Sequence, residues 1–126
     1  QQPIIILEHD SVFINPVPHI DLEGICQLND PAGATKRGGY WHNIMSNLSS
    51  GIHDKTLVAE DPLVPDGLAG NSAYYIHPEY AAKMIHLVKT HGLWPNDALM
   101  CIQLIPELYQ YYPFITKVNQ TESTTV

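Results

Sequence analysis

Ile4-Ile5-Ile6-Leu7-Glu8-His9-Asp10, near the start of the chain, is the most informative stretch of the sequence. A short, continuous, β-branched run of this kind is typical of a strand that is covered on both faces, as in a parallel or mixed sheet. The run ends abruptly at two acids that flank a histidine. We therefore predict an α/β fold, a mixed sheet with flanking helices, whose first strand carries carboxylates at its C-terminal end.

Further helices and strands are predicted downstream of this run. Pro78 suits the first turn of a helix, apolar residues follow it at helical spacing, and Gly92 supplies the stop. A second helix is predicted from Asn96, its N-cap, to Pro106. The other apolar segments predict strands over 11–14, 24–28, 72–76 and 108–112.

The length of 126 residues predicts one domain. We expect a single α/β domain over 1–118, with a long irregular loop over 34–70 and a polar tail over 119–126. The loop prediction rests on its glycines and prolines and on its lack of a sustained hydrophobic period. An apolar strand that starts almost at Gln1 predicts a domain truncated at its N-terminus.

Composition restricts the classes of partner. Six Lys plus Arg against thirteen Asp plus Glu give a net charge of −7, so nucleic-acid binding is not expected. A phosphorylated ligand would need a divalent cation to offset this charge. The apolar runs are far shorter than the roughly 20 residues of a membrane helix, so no membrane span is expected. Cys26 and Cys101 are expected to be buried thiols, and with no secretory leader the predicted location is cytoplasmic.

Glu8 and Asp10 are the first candidate site. Alternate residues of a strand share a face, so both carboxylates are predicted to project at the C-terminal edge of the sheet, where open α/β sheets bind ligands. Two hard oxygen ligands there suit Mg²⁺ or Mn²⁺ that holds a diphosphate. The alternative is a strand that reaches solvent through polar residues, and spacing alone leaves both open.

Four segments, in order, resemble glycosyltransferase family 25, the lipopolysaccharide and procollagen glycosyltransferases. Residues 6–13, Ile-Leu-Glu-His-Asp-Ser-Val-Phe, resemble the family's acidic Asp-x-Asp-type motif and the apolar run after it, with His9 where the family usually has an acid. Residues 70–85, from Gly-Asn-Ser-Ala-Tyr-Tyr-Ile to Ala-Ala-Lys-Met-Ile, resemble its glycine, strand and helix. Pro-Asn-Asp-Ala-Leu at 95–99 and Pro-Phe-Ile with the later Gln and Ser at 113–124 resemble its last two motifs.

The resemblance implies a partial GT-A fold, the type found in nucleotide-diphospho-sugar transferases. The implied function is metal-dependent transfer of a sugar from a nucleotide-sugar donor to a glycan or similar acceptor, as in lipopolysaccharide biosynthesis. Asp10 would be the direct Mn²⁺ or Mg²⁺ ligand, and Glu8 would contact the ribose or a metal-bound water. In the family a nucleotide-binding half precedes the acidic motif, so this chain alone is expected to lack turnover.

Asp97, Gly70, Asn71 and Trp41 complete the candidate site. The resemblance puts Asp97 at a helix start near the acceptor, where an inverting transfer needs a general base, although a capping acid is the alternative. Gly70 and Asn71 are expected to line the acceptor pocket. Trp41 can stack on a sugar ring or can close a loop over the core.

A function from a different class stays open, a non-catalytic α/β binding or assembly module derived from the same fold. A zinc hydrolase is disfavoured, because the seven histidines form no HExxH motif and no pair on one helical face. A truncated sheet would expose a strand edge and apolar surface, so a homo-oligomer formed through that edge is also expected.

Overall fold

The structure of the protein, a computed structural model, describes residues 2–34, 37–54, 72–92, 101 and 104–119. These residues form a five-stranded sheet, a two-stranded sheet and two helices. In chain order the elements are β1 (Ile4–Leu7), β2 (Ser11–Phe13), β3 (Ile25–Gln27), α1 (Gly38–Met45), β4 (Gly51–Asp54), β5 (Ala73–Ile76), α2 (Pro78–His91), β6 (Leu108–Tyr112) and β7 (Thr116–Val118). The predicted α/β class is confirmed.

The five-stranded sheet is mixed, with the strand order β1-β5-β3-β6-β4. β5 is antiparallel to both of its neighbours, β3 and β6 are parallel, and β4 is antiparallel to β6. β1, β3 and β6 therefore run in one direction, and their C-terminal ends meet at one edge of the sheet. We call this edge the carboxyl edge.

The two-stranded sheet is connected to the carboxyl edge. β2 and β7 pair in antiparallel fashion, and an isolated bridge joins Asn29, just after β3, to Thr116 of β7. The buried hydroxyl of Thr116 also donates to Oδ1 of Asn29 at 3.0 Å. β7 is therefore flanked by β2 on one side and by the segment after β3 on the other.

β1 lies at an edge of the five-stranded sheet. Among the described strands it pairs with β5 alone, and three of its four residues are exposed. The strands that are buried throughout are β3 and β5. The prediction that the isoleucine-rich run is covered on both faces is therefore wrong, because apolar composition does not report strand order.

α2 follows the sequence prediction closely. It begins at Pro78 and ends before Gly92, and the Nδ1 atom of His77 accepts a hydrogen bond from the N–H of Glu79 at 3.3 Å as an N-cap. Its buried residues join the core on one face of the sheet. That core contains Ile25, Tyr74, Ile76, Met84, Leu87, Ile105 and Leu108.

The predicted irregular loop contains regular structure in its first part, where α1 and β4 lie. Helix propensity does not predict α1, because the helix begins with Gly38-Gly39 and glycine is a poor helix former. Gly38 is needed for packing, since a Cβ there would collide with the carbonyl oxygen of Pro31. Residues 55–71, most of the helix predicted over 96–106, and the tail after 119 lie outside the described residues.

The opposite face of the sheet buries a second core cluster. It contains Cys26, Leu28, Ala73, Tyr75 and Ile115. Cys26 and Cys101 are both buried free thiols, as predicted, and burial raises the pKa of Cys26 to about 12. In the part of the chain that the structure describes, no helix has the length and apolar character needed to cross a bilayer.

Candidate functional site

The acidic segment forms a tight turn between β1 and β2. The N–H of Ser11 donates to the carbonyl oxygen of Glu8 at 3.1 Å, which closes a four-residue turn over residues 8–11. Extended geometry therefore ends at Leu7, and the prediction that Glu8 and Asp10 share a face by strand alternation does not hold. The turn, which we call the acidic turn, nevertheless lies at the carboxyl edge.

Ser72, the residue before β5, anchors one side of the acidic turn. Its carbonyl oxygen accepts a hydrogen bond from the N–H of Glu8 at 2.8 Å and another from the hydroxyl of Ser11 at 2.9 Å. Ser72 belongs to the segment that begins with the predicted acceptor residues. Gly70 and Asn71 themselves lie outside the described residues.

The end of β7 anchors the other side of the acidic turn. The N–H of Asn119 donates to the carbonyl oxygen of Asp10 at 2.8 Å, and Ser11 pairs with Val118. The structure thus brings together three chain segments, 8–13, 72–76 and 116–119, that are far apart in the sequence.

The two acids of the turn have different environments. Oδ1 of Asp10 is buried and has no hydrogen-bond partner among the described residues. Burying a carboxylate oxygen without a donor is unfavourable, so this atom is suited to a positively charged partner. Glu8 is exposed. Burial raises the pKa of Tyr74, and the negative charge of the nearby Glu8 raises it further.

Mg²⁺ or Mn²⁺ at Glu8 and Asp10 would need a diphosphate to complete its coordination. Mg²⁺ commonly takes one or two carboxylates and fills its other positions with water and phosphate oxygens. Glu8 and Asp10 are sufficient in number for that arrangement, and the buried Oδ1 of Asp10 is the atom best suited to direct contact. Within the described ranges, no group of three or more His, Cys, Asp or Glu side chains is placed to hold a metal ion.

A carboxylate–imidazole pair, which sequence reasoning missed, also lies at the carboxyl edge. Oδ1 of Asp30, three residues beyond β3, is 2.7 Å from Nδ1 of His42 on α1. Because an ionised carboxylate only accepts hydrogen bonds, the neutral form of this imidazole has its proton on Nδ1 and its lone pair on Nε2. The pair depends on α1, which the sequence did not predict, so no spacing rule would have found it.

Trp41 lies on α1 directly before His42. Its ring meets that of Tyr40 edge to face at a centroid distance of 5.4 Å, and the guanidinium of Arg37 lies 4.4 Å from the centroid of Tyr40. Tyr40 is exposed and Trp41 is half-buried. These rings are partly accessible beside the carboxylate–imidazole pair, and sugar stacking by Trp41 stays a prediction.

The remaining predicted residue, Asp97, lies outside the described residues, so its role as base or cap also stays a prediction. No family model, curated protein or solved structure matches the chain. A functional assignment therefore depends on the residues and geometry described above.

Proposed function

We propose that the protein is a family 25-like glycosyltransferase, which uses Mn²⁺ or Mg²⁺ to transfer a sugar from a nucleotide-sugar donor to a glycan or similar acceptor. The observation that carries this proposal is the buried Oδ1 of Asp10, which lacks a hydrogen-bond partner among the described residues. It lies in a turn at the carboxyl edge, which is the usual ligand-binding edge of open α/β sheets.

The two acids have separate roles in this proposal. Asp10 is the direct cation ligand, and the exposed Glu8 contacts the ribose or a metal-bound water. When bound, the cation neutralises the charge that develops on the leaving diphosphate. Without it, a chain with a net charge of −7 would repel its donor.

The contacts around the acidic turn support a partial GT-A fold. Segments 6–13, 70–85 and 113–124 carry three of the four resemblances, and described residues from each of them meet at this turn. Motifs that serve one site must converge in the fold. On the acceptor side the resemblance implies Gly70, Asn71 and Trp41, with Asp97 as the base.

The alternative function is a non-catalytic α/β binding or assembly module. The observation that favours it is the exposed apolar edge formed by β1, where Ile4, Ile6 and Leu7 are all exposed. An apolar groove of about 240 Å³ beside this strand is lined partly by Val17 and Tyr75. An exposed edge strand is a template for pairing with another chain, so self-association through β1 is part of both proposals.

The cellular setting in this proposal is a reducing compartment, the cytoplasm. Cys26 and Cys101 are buried as free thiols, which is the usual state of cysteine in such a compartment. The acceptor class that the resemblance implies is lipopolysaccharide or another glycan.

Donor turnover tests the proposal. Since the resemblance implies a nucleotide-binding half before this region, the assay uses the full-length gene product that contains the chain, with a panel of nucleotide sugars. We expect turnover of one donor only when Mn²⁺ or Mg²⁺ is present, loss of turnover in Asp10→Asn, and retention in Asp21→Asn, which changes the net charge equally. Metal-independent turnover or an active Asp10→Asn variant would reject the proposal, and no turnover of any donor would favour the module.

A further inference from the structure

We propose that Asp30 and His42 form a proton-accepting pair, in which Nε2 of His42 takes the proton from the acceptor hydroxyl. This inference rests on the proposed glycosyltransferase function and deepens it by assigning the base. The observation behind it is the 2.7 Å contact between Nδ1 of His42 and Oδ1 of Asp30.

The two side chains differ in exposure in the way that such a pair requires. The Asp30 side chain is 15% exposed, whereas that of His42 is 38% exposed. Oδ1 of Asp30 also accepts a hydrogen bond from the N–H of Ala32 at 2.9 Å, which fixes the carboxylate. A shielded carboxylate thus orients an imidazole that a ligand can reach.

Packing also restricts the His42 ring. It lies against the buried ring of Phe114, with a centroid distance of 5.3 Å and 32° between the planes, and Phe114 meets Tyr112 edge to face at 5.1 Å. In the described part of the chain, Asp30 therefore occupies Nδ1 and Phe114 covers a ring face, which leaves Nε2 for a ligand.

β7 lies between this pair and the acidic turn and is hydrogen-bonded to both. On one side of β7 the carbonyl of Thr116 accepts from the N–H of Asp30 at 2.8 Å, and on the other side the N–H of Asn119 donates to the carbonyl of Asp10 at 2.8 Å. Strand rise and strand spacing put the backbones of Asp30 and Asp10 about 14 Å apart. The pair and the acidic turn therefore lie on opposite sides of one strand at the same edge of the sheet.

The proposed sugar transfer is a single displacement in which every proton and bond is accounted for. Nε2 of His42 accepts the hydroxyl proton while the acceptor oxygen forms a bond to the anomeric carbon, and the bond from that carbon to the diphosphate oxygen breaks. The diphosphate leaves with the electron pair. His42 is then the catalytic residue, whereas Asp30 is a positioning residue that stabilises the imidazolium. In this step His42 takes the role of base that the resemblance implies for Asp97.

The reactivity of Nε2 can be tested without turnover. Diethyl pyrocarbonate carbethoxylates neutral imidazole nitrogens, and mass spectrometry gives the rate for each histidine. We expect His42 to react several-fold faster in the wild type than in Asp30→Asn, because an asparagine amide can donate to Nδ1 and move the ring proton to Nε2. His53, whose Nε2 donates to the carbonyl of Ser49 at 2.6 Å, should react equally in both proteins. Equal rates for His42 would overturn the inference.

Turnover of the full-length enzyme then tests the role in transfer. His42→Asn keeps a donor for Asp30 but has no atom at the Nε2 position, so kcat should fall about 100-fold or more with KM nearly unchanged. His53→Asn should keep the wild-type kcat. If the wild type is active and His42→Asn keeps its kcat, the inference is wrong while the proposed function stands. If the wild type turns over no donor, the proposed function and the role of His42 are both wrong.

Discussion

Glu8 and Ser72 are joined across the carboxyl edge, where the N–H of Glu8 donates to the carbonyl oxygen of Ser72 at 2.8 Å. The contact connects the acidic turn after β1 to the start of β5. Asp30, which follows β3, and Asn119, which follows β7, lie at the same edge. Polar residues from distant segments thus converge where α/β sheets bind their ligands.

The position of Glu8 can be tested through Tyr74. Burial raises the pKa of the Tyr74 hydroxyl, and the Glu8 charge raises it further. Glu8→Gln should therefore lower this pKa toward its ordinary value of 10.0, which it will not reach because the ring stays buried. A site-resolved NMR titration measures the change, with Asp21→Asn as the charge-matched control. An unaltered Tyr74 pKa in Glu8→Gln would show that the Glu8 charge does not act on Tyr74.

The glycine pair at the start of α1 offers a matched test of packing. Gly38→Ala puts a Cβ against the Pro31 carbonyl, so the free energy of unfolding should fall by about 1 to 3 kcal/mol. Gly39→Ala meets nothing within 4 Å and should be neutral or stabilising by up to about 1 kcal/mol. Urea unfolding compares the two variants, and equal effects would mean that α1 does not pack on Pro31.

Alkaline stability should depend on Cys26. The unfolded thiol ionises near pH 9.0, whereas burial raises the folded-state pKa to about 12. Between these values the unfolded state loses a proton that the folded state keeps. The free energy of unfolding should therefore fall with pH in this window, by up to about 1.4 kcal/mol per pH unit, with no such loss below pH 9. Urea unfolding of Cys26→Ala should lack this part of the slope, and parallel curves for both proteins would contradict the burial.

The elements with strong local signals are those that the sequence predicted. Pro78 and Gly92 mark the ends of α2 through their own backbone constraints, and the aromatic run of β6 is strand-forming wherever it lies. Strand order carries no local signal, so the edge position of β1 could not be read from an apolar run. α1 was missed because its glycines serve packing against Pro31 and disfavour a helix locally.

The candidate site, like the fold, was predicted from the sequence only in part. The acids of the turn were found because they follow an apolar strand directly, but the turn that places them was not. Asp30 and His42 meet only because a turn and a short helix bring them together, and their separation of 12 residues matches no helical or strand period.

Self-association should depend on β1. Ile4 is 54% exposed on this edge strand, and Ile4→Lys adds a charge of the kind that natural proteins use to block edge pairing. The variant should show a larger monomer fraction than the wild type in sedimentation velocity over a concentration series. Ile85→Lys, at a position 60% exposed on α2, is the matched control and should leave association unaltered. A wild type that stays monomeric throughout, or equal effects of both variants, would contradict the role of β1.

Thermal unfolding of the chain with Mn²⁺ and inorganic pyrophosphate, a probe for the donor diphosphate, tests the cation site most directly. A ligand at 100 times its Kd adds about 2.7 kcal/mol, which corresponds to a Tm increase of several degrees for a domain of this size. We expect this increase in the wild type and in Asp21→Asn, a reduced increase in Glu8→Gln, and none in Asp10→Asn. No increase in the wild type, or the full increase in Asp10→Asn, would contradict a cation held by the acidic turn.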